Sequence, residues 1–304
     1  MTKKLRIGTR DSQLAVWQAT HVQQLLEARG IATELVYIKS EGDINTTTPL
    51  YEMGVQGIFT KALDIALLSN QIDIAVHSMK DVPVALAKGL KKAAVLERAS
   101  YLDILVYKHD TSFLDNEQPA TIATSSIRRI AQWLHKYPAH RMVSFRGNVN
   151  TRLRKLEENN WNGAIFAAAG LERIGLRPAH SINLNWMLPA PAQGAIMVVC
   201  RADDNTSFHN TCILDHKATS ICTHIEREFL KTLQGGCSTP VSALAVIENG
   251  EIRFSGNIAS HDGTELLEVH ETCAMDDFED AGHIAAMKLL TSGLPWIQQV
   301  LKKK

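Results

Sequence analysis

The feature that most constrains the fold is a unit of short apolar strand, polar turn and helix that recurs three times between residues 121 and 173. Its strands are predicted at 121–123, 142–145 and 164–168, and each runs directly into a polar turn and a helical pattern. Strands that alternate with helices in this way are typical of a mostly parallel sheet with helices packed against it. The recurrence therefore predicts an α/β domain in the middle of the chain.

The flanking segments predict a second domain of the same class and a smaller C-terminal one. Further elements are predicted as strands at 5–7, 33–39, 73–77, 90–96 and 104–107, and as helices at 13–28, 59–68 and 211–233. The pattern crosses into the middle domain at 97–103 and returns after Pro189-Ala190-Pro191, at a strand over 195–200. Strands that meet at Asn249-Gly250 and at 261–263 indicate hairpins, and a helix over 278–290 is predicted to close the chain.

The predicted fold class is therefore α/β, with two βα domains joined by a double crossing and a small C-terminal α/β domain with antiparallel strands. Domain 1 is expected to comprise 1–98 and 194–212, domain 2 to comprise 99–193, and domain 3 to comprise 213–304. Residues 40–58 have little periodicity and many turn residues. Because a loop of this length in a compact domain is usually functional or mobile, we interpret it as a flap near the site.

Charge, hydropathy and cysteine content exclude several classes of protein. The formal net charge of zero argues against a nucleic-acid-binding surface, so an anion site must come from local clustering. No segment is long and apolar enough to span a membrane, and residues 1–10 lack an apolar signal core, which predicts a cytoplasmic protein. The five cysteines are odd in number and none forms a CxxC pair, so neither a disulfide framework nor a metal site is expected.

Arginines repeatedly follow the predicted strands, at the turns that open the next helix. The set is Arg10, Arg128, Arg129, Arg146, Arg152 and Arg173. Helix N-termini favour anions, and the guanidinium fork matches carboxylates and phosphates. Thr124, Ser125 and Ser126 add hydroxyl donors at one of these turns. Since no Gly-rich phosphate loop is present, an organic polycarboxylate is the favoured ligand.

A second candidate site follows the strand in residues 73–83. Ser78, Lys80 and Asp81 come directly after the apolar run, where ligands of open α/β sheets bind. The alternative is a solvated loop with an incidental ion pair. A third candidate is Cys237, in the Gly-rich segment 234–240, which is either an exposed nucleophile or an inert buried thiol.

Several motifs together resemble the porphobilinogen deaminase family, also called hydroxymethylbilane synthases. They are Ile7-Gly8-Thr9-Arg10-Asp11-Ser12, residues 73–83, Ala123-Thr124-Ser125-Ser126-Ile127-Arg128-Arg129, Phe145-Arg146-Gly147-Asn148-Val149, Ala169-Gly170-Leu171 with Arg173, Gln193-Gly194-Ala195 and Gly235-Gly236-Cys237. Their order and spacing match the family across nearly the whole chain. The resemblance implies two domains like the lobes of a periplasmic binding protein, and a third domain with the cofactor cysteine.

The resemblance also implies the activity. The family is a transferase of tetrapyrrole and haem biosynthesis that joins four porphobilinogen molecules into the linear hydroxymethylbilane (preuroporphyrinogen) and releases ammonia. Its primer is a dipyrromethane cofactor bound through a cysteine thioether, which by motif match is Cys237. The partners implied are porphobilinogen and the growing polypyrrole chain, with no nucleic acid, membrane or metal, and the expected state is a monomer.

By the same match, Asp81 and Lys80 are expected to be catalytic. The residues expected to bind the cofactor are Cys237, Ser78, Lys80, Asp81, Thr124, Ser125, Ser126, Arg128, Arg129, Arg146 and Gly170. The residues expected to bind substrate are Arg10, Ser12, Arg146, Arg152, Arg173 and Gln193. The chain departs from the family pattern at Glu41, Gln56, Tyr101-Leu102 and Pro191-Ala192.

Two other functions remain as alternatives from the residues alone. A non-catalytic two-lobed protein that binds an organic anion would explain the βα units and the arginines, but it would not need Asp81 or Cys237. A nucleic-acid-binding protein would use the arginines on phosphates, against the zero net charge.

Overall fold

The structure is a computed structural model that describes residues 4–39, 60–115, 118–234 and 239–302. The predicted flap over 40–58 and the predicted cofactor cysteine Cys237 lie outside the described residues.

Thirteen strands and nine helices are present in the described part of the chain. The strands are β1 (Leu5–Thr9), β2 (Thr33–Tyr37), β3 (Ile74–Ser78), β4 (Leu90–Val95), β5 (Asp103–Tyr107), β6 (Thr121–Ala123), β7 (Arg141–Val143), β8 (Gly163–Ala167), β9 (Ser181–Asn183), β10 (Ile196–Arg201), β11 (Val241–Glu248), β12 (Glu251–Ala259) and β13 (Leu266–Ala274). The helices are α1 (Gln13–Glu27), α2 (Lys61–Leu68), α3 (Ile127–Lys136), α4 (Val149–Glu158), α5 (Ala168–Glu172), α6 (Asn205–Cys212), α7 (Lys217–Thr232), α8 (Ala281–Leu290) and α9 (Pro295–Lys302).

The described residues fall into two compact units. Unit 1 comprises 4–39, 60–99 and 194–221, and unit 2 comprises 100–115, 118–193, 222–234 and 239–302. The chain leaves unit 1 after Ala99 and returns to it after Gln193, so the double crossing predicted from the sequence is confirmed. The division into three domains stays a prediction.

Unit 1 contains a five-stranded sheet of order β2-β1-β3-β10-β4. β1 is parallel to both β2 and β3, while β10 is antiparallel to both of its neighbours. The sheet is buried against α1 through a cluster that includes Ile7, Val22, Leu26, Val76 and Val198. Each fully buried side chain of this size contributes about 1.5–3 kcal/mol, so this face is a main source of the unit's stability.

Unit 2 contains a second five-stranded sheet, of order β7-β6-β8-β5-β9. β6 is parallel to β7 and β8, and β5 is antiparallel to β8 and β9. The strand order and strand directions match those of the first sheet position by position. The antiparallel strand second from one edge is β10 in the first sheet and β5 in the second, and each follows closely after a point where the chain passes from one unit to the other. Both sheets thus have the lobe topology that the resemblance implies, and the three predicted strand–turn–helix units are β6–α3, β7–α4 and β8–α5.

Unit 2 also contains the predicted antiparallel C-terminal sheet, of order β11-β12-β13. The β11–β12 hairpin turns at Asn249 and Gly250, whose φ angles are 53° and 83°. Two successive positive φ angles are what a tight two-residue hairpin requires, and Asn-Gly is the sequence that best adopts them. The hairpin predicted there is confirmed.

Two helix predictions differ from the structure. The helix predicted over 211–233 is two helices, α6 and α7, because the residues between them bond to β4: Asp215 Oδ1 accepts from Val95 N at 2.7 Å, and His216 N donates to Val95 O at 2.7 Å. The helix predicted over 278–290 begins at Ala281 and does not close the chain, since α9 follows it.

Candidate active site

In unit 1, the predicted site residues follow two neighbouring parallel strands at the same edge of the sheet. β1 ends at Thr9 and is followed by Arg10 and Ser12, while β3 ends at Ser78. Residues Met79–Asp81 then form one turn of 3₁₀ helix, in which Met79 is buried and Asp81 is exposed. Because the carboxyl ends of parallel strands meet at one edge, the structure brings Arg10 and Ser12 to the side of the sheet that holds Ser78, Lys80 and Asp81.

Ser78 is held by a residue that the sequence did not single out. Gln18 on α1 is buried, and its Nε2 donates to Ser78 Oγ at 2.9 Å. The bond joins α1 to the end of β3, so the hydroxyl that precedes Lys80 has a fixed direction.

His77 lies next to this edge and is also buried. Burial, together with the nearby Arg10 charge, lowers the pKa of His77 from 6.5 to about 4. Its Nε2 has no hydrogen-bond partner among the described residues. The imidazole is therefore neutral at pH 7 and is not a cation that would compete with the arginines for an anion.

In unit 2, the predicted residues follow three neighbouring parallel strands. Thr124, Ser125 and Ser126 follow β6, Arg146 follows β7, and Gly170 lies on α5 after β8. Ser125 Oγ accepts from Phe145 N at 2.6 Å and lies 3.2 Å from Ser144 Oγ, which joins the turn after β6 to the turn after β7. The strands thus place these hydroxyls and Arg146 at one edge.

Arg128 and Arg129, on the first turn of α3, are buried around one carboxylate. Asp103, the first residue of β5, is fully buried and accepts from Arg128 Nη2 at 2.7 Å and from Arg129 Nη2 at 2.7 Å. Arg129 Nε donates to the same carboxylate at 3.2 Å. Backbone carbonyls take a further donor from each arginine: Leu188 O from Arg128 and Ile165 O from Arg129.

The charges in this cluster do not balance. Burial alone would raise the pKa of Asp103, but the two guanidinium groups and the Gln193 hydrogen bond hold it well below its usual range. Asp103 is therefore ionised, and two cations share one anion among the described residues. A buried net positive charge is costly unless an anion is bound, so the cluster fits a ligand carboxylate.

Gln193 is the last residue before the chain returns to unit 1. It is buried, and its Nε2 donates to Tyr101 O at 2.8 Å and to Asp103 Oδ1 at 2.9 Å. Both hydrogens of this amide nitrogen therefore bond within the protein. Gln193, where the chain returns to unit 1, is thus hydrogen-bonded to Tyr101, just after the chain leaves unit 1, and it orients Asp103.

Two of the remaining predicted arginines, Arg146 and Arg173, are desolvated by burial. Burial lowers the pKa of Arg146, and it lowers the pKa of Arg173 to about 10 although Glu172 opposes the shift. The Arg152 guanidinium lies over the Phe145 ring, 5.6 Å from its centroid. A guanidinium that has lost water gains more from a bound carboxylate than a solvated one, which suits Arg146 and Arg173 to an anionic ligand.

One predicted site residue is not described by the structure, and three polar residues that the sequence did not single out lie beside predicted ones. Cys237 lies outside the described residues, whereas Gln18, Asp103 and Gln132 are buried polar residues beside predicted ones. The sequence feature that could have identified Asp103 is its position, as a charged residue directly before the apolar strand 104–107. In the described ranges, no group of three or more His, Cys, Asp or Glu side chains could hold a metal ion, and no helix is long and apolar enough to cross a membrane.

Comparison with known proteins identifies the family. Residues 5–209 match the model described as "Porphobilinogen deaminase, dipyromethane cofactor binding domain", and residues 220–291 match the model of the "Porphobilinogen deaminase, C-terminal domain". The chain belongs to the porphobilinogen deaminase family. Its relatives include the porphobilinogen deaminase of Syntrophomonas wolfei, which is 42% identical over 300 residues and 96% of each chain. The chloroplastic porphobilinogen deaminase of Oryza sativa is 40% identical over 92% of this chain and 82% of its own.

Similar solved structures include the probable amino-acid ABC transporter extracellular-binding protein ytmK of Bacillus subtilis. Its sequence is 10% identical, and the match covers 70% of this chain and 90% of that chain with a TM-score of 0.44.

Proposed function

We propose that this chain is a transferase that joins four porphobilinogen molecules head to tail into hydroxymethylbilane, with release of ammonia, in tetrapyrrole biosynthesis. The reaction starts from a dipyrromethane primer attached through a thioether to Cys237. Membership of the porphobilinogen deaminase family supports the reaction. The observation that carries the proposal is the buried pair Arg128–Arg129, which has Asp103 as its one counter-ion among the described residues, since every ring of the primer and product has carboxylate side chains.

The residues of unit 2 fit the cofactor. When bound, dipyrromethane supplies the free pyrrole carbon from which the chain is extended. Arg128 and Arg129 would hold one of its carboxylates through the net charge of their cluster. The hydroxyls of Thr124, Ser125 and Ser126, with Arg146 and Gly170, lie at the same edge of the sheet and would supply further donors.

The residues of unit 1 would perform the chemistry on porphobilinogen. Asp81 is exposed at the end of the 3₁₀ turn, where its carboxylate can accept from pyrrole N–H groups. It would stabilise positive charge on the ring as the amine leaves, and would take up the proton that is lost. Lys80 and Ser78 would orient cofactor carboxylates beside it. Substrate carboxylates would be bound by Arg10, Ser12, Arg146, Arg152 and Arg173.

The assignment of Gln193 changes in this proposal. The sequence motif predicts that it binds substrate, but both hydrogens of its amide nitrogen bond to Tyr101 and Asp103. We therefore propose that Gln193 acts through Asp103 and orients the arginine pair.

We also propose that the protein works as a monomer in the cytoplasm, without nucleic-acid or membrane partners. Light scattering on the purified chain tests the oligomeric state, and cell fractionation tests the localisation.

The decisive experiment is intact-mass measurement of the denatured full-length protein, followed by peptide mapping. A mass excess of two pyrrole units, located on Cys237, is the expected result. A chain that stays unmodified after incubation with porphobilinogen or preuroporphyrinogen would favour the non-catalytic anion-binding alternative.

A further inference from the structure

We propose that Gln132 is a positioning residue that fixes the Arg128–Arg129 pair relative to β11, the strand that follows Cys237 in sequence. The inference rests on the proposed function, in which the arginine pair and Cys237 hold the same cofactor. All the contacts that support it lie within unit 2.

The first contact is a two-point pairing with the backbone N–H and C=O of one residue, Leu188. Gln132 lies on α3, four residues after Arg128, and is buried. Its Nε2 donates to Leu188 O at 3.0 Å, and Leu188 N donates to its Oε1 at 2.9 Å. Arg128 Nη1 donates to the same carbonyl at 2.7 Å. The Leu188 carbonyl is therefore held by the arginine and the glutamine of one helix face, and the Leu188 N–H by the glutamine.

The second contact reaches the C-terminal sheet. The same Gln132 nitrogen donates to Ser242 Oγ at 2.9 Å, and Ser242 is fully buried on β11. Ser242 is five residues after Cys237 in sequence. A separate bond from Ala243 N to Pro189 O, 3.1 Å long, holds the segment after Leu188 on the same strand. The Gln132 side chain thus hydrogen-bonds both to Leu188, in the segment before the chain returns to unit 1, and to Ser242 on β11.

A neutral amide suits this position for two reasons. It donates two hydrogen bonds and accepts at its oxygen, so it bonds the backbone C=O and N–H of Leu188 and the Ser242 hydroxyl together. It also leaves the charge of the neighbouring Arg128–Arg129–Asp103 cluster unchanged. A ligand held covalently at one point and by charge at another needs the distance between those points fixed, since a misplacement of ~1 Å can slow a reaction ~100-fold.

The test compares Gln132→Met and Ser242→Ala with the control Thr211→Val in the full-length protein. Thr211 is a residue of unit 1 whose fully buried hydroxyl donates to Ser207 O at 2.7 Å. The control therefore removes one hydrogen bond of a fully buried hydroxyl, as Ser242→Ala does. Three quantities are measured: the fraction of purified chain with the two-pyrrole adduct, the rate of mass gain with porphobilinogen, and KM against kcat.

The expected result is that Gln132→Met slows mass gain and kcat by about 10- to 100-fold and lowers the loaded fraction, while KM for porphobilinogen changes less than about twofold. Ser242→Ala moves the same quantities in the same direction by less, and the double variant is no slower than Gln132→Met. Thr211→Val lowers thermal stability and leaves all three quantities at the wild-type value.

Wild-type loading, rate and kcat in both Gln132→Met and Ser242→Ala, with a stability loss like that of Thr211→Val, would overturn the positioning role and leave Gln132 a structural residue. Failure of the proposed function is distinguishable, because the wild-type chain itself would then gain no adduct on Cys237.

Discussion

Gln18 and Ser78 hydrogen-bond to each other in unit 1: Gln18 Nε2 donates to Ser78 Oγ at 2.9 Å, and Gln18 Oε1 lies within bonding distance of the same hydroxyl at 3.3 Å. The two residues are 60 positions apart in sequence. The pairing fixes α1 against the end of β3, one residue before the turn that contains Lys80 and Asp81.

The Gln18–Ser78 pairing predicts a kinetic effect of Gln18→Leu. This variant removes both bonds, so we expect a loss of about 1–3 kcal/mol in unfolding free energy and a roughly tenfold fall in kcat as Ser78 loses its orientation. Gln23→Leu is the matched control, since Gln23 lies on the same helix and donates to Thr33 Oγ1 at 3.0 Å. Urea unfolding and steady-state kinetics measure both; equal kcat in the two variants would contradict a role for Gln18 in the site.

Loss of the Asp103 charge is predicted to destabilise the protein strongly. Asp103→Asn leaves two buried guanidinium groups without their counter-ion, so we expect the unfolding free energy to fall by about 3–5 kcal/mol. The control is Glu248→Gln, which breaks an exposed ion pair with Arg253 and should cost no more than about 1 kcal/mol. A similar, small cost for both variants in chemical denaturation would refute the charge balance inferred here.

Acid sensitivity is predicted to depend on His77. Its pKa is about 4 in the folded protein and 6.5 ordinarily, so between these values the unfolded chain binds the extra proton and stability rises with pH. The shift corresponds to about 3 kcal/mol, fully lost once the pH falls below 4. Denaturant unfolding of wild type and His77→Gln from pH 4 to 7 measures this. The variant should show a shallower dependence, and parallel curves would argue against the assignment.

Gly147 is predicted not to tolerate a side chain. It has a φ of +118°, and a Cβ there would lie 2.6 Å from Thr151 Cγ2. Gly147→Ala should therefore cost more than the ~1 kcal/mol of positive-φ strain alone, and should displace Arg146 and weaken substrate binding. Gly175→Ala provides the comparison, because its φ is +65° but nothing lies within 4 Å of the added carbon. Thermal unfolding and KM distinguish them; indistinguishable variants would show that the contact with Thr151 relaxes freely.

Asp81→Ala is predicted to fold and to lose nearly all turnover. Asp81 is exposed at the end of the 3₁₀ turn, so its removal leaves the core intact. Unfolding should change by less than about 0.5 kcal/mol, as is usual for surface positions. Asp110→Ala is the control, since Asp110 is an exposed carboxylate of unit 2 in a turn with Ser112. Near-normal turnover of Asp81→Ala would end the catalytic assignment.

The parts of the fold that the sequence predicted are those set by local patterns. Apolar runs followed by polar turns located every strand of the two five-stranded sheets except the edge strand β9, and Asn249-Gly250 located a hairpin from the conformational preference of the two residues alone. The same reasoning placed Arg146 and the hydroxyls 124–126 at the carboxyl ends of strands, because chain direction follows from the βα order.

What could not be predicted depends on contacts between distant residues. The arginines of α3 were expected to face a ligand, but the sequence gives no sign that Asp103, 25 residues before Arg128, neutralises part of their charge. The break between α6 and α7 is likewise caused by bonds to Val95, about 120 residues away. Ala192 adopts a φ of +61°, a left-handed conformation that the alanine itself does not suggest, while its backbone N–H bonds to Glu226 at 2.6 Å.

The position of β10 determines the order in which a ribosome can complete the two sheets. Every strand of the five-stranded sheet in unit 2 is translated by residue 183, whereas the five-stranded sheet in unit 1 needs Ile196–Arg201 between β3 and β4. Until those residues emerge, the position between β3 and β4 is unfilled, and the facing edges of these two strands are unpaired. The five-stranded sheet of unit 2 can therefore finish pairing before that of unit 1, although its translation begins later, and a chaperone that shields β3 and β4 during synthesis would keep their edges from pairing with other chains.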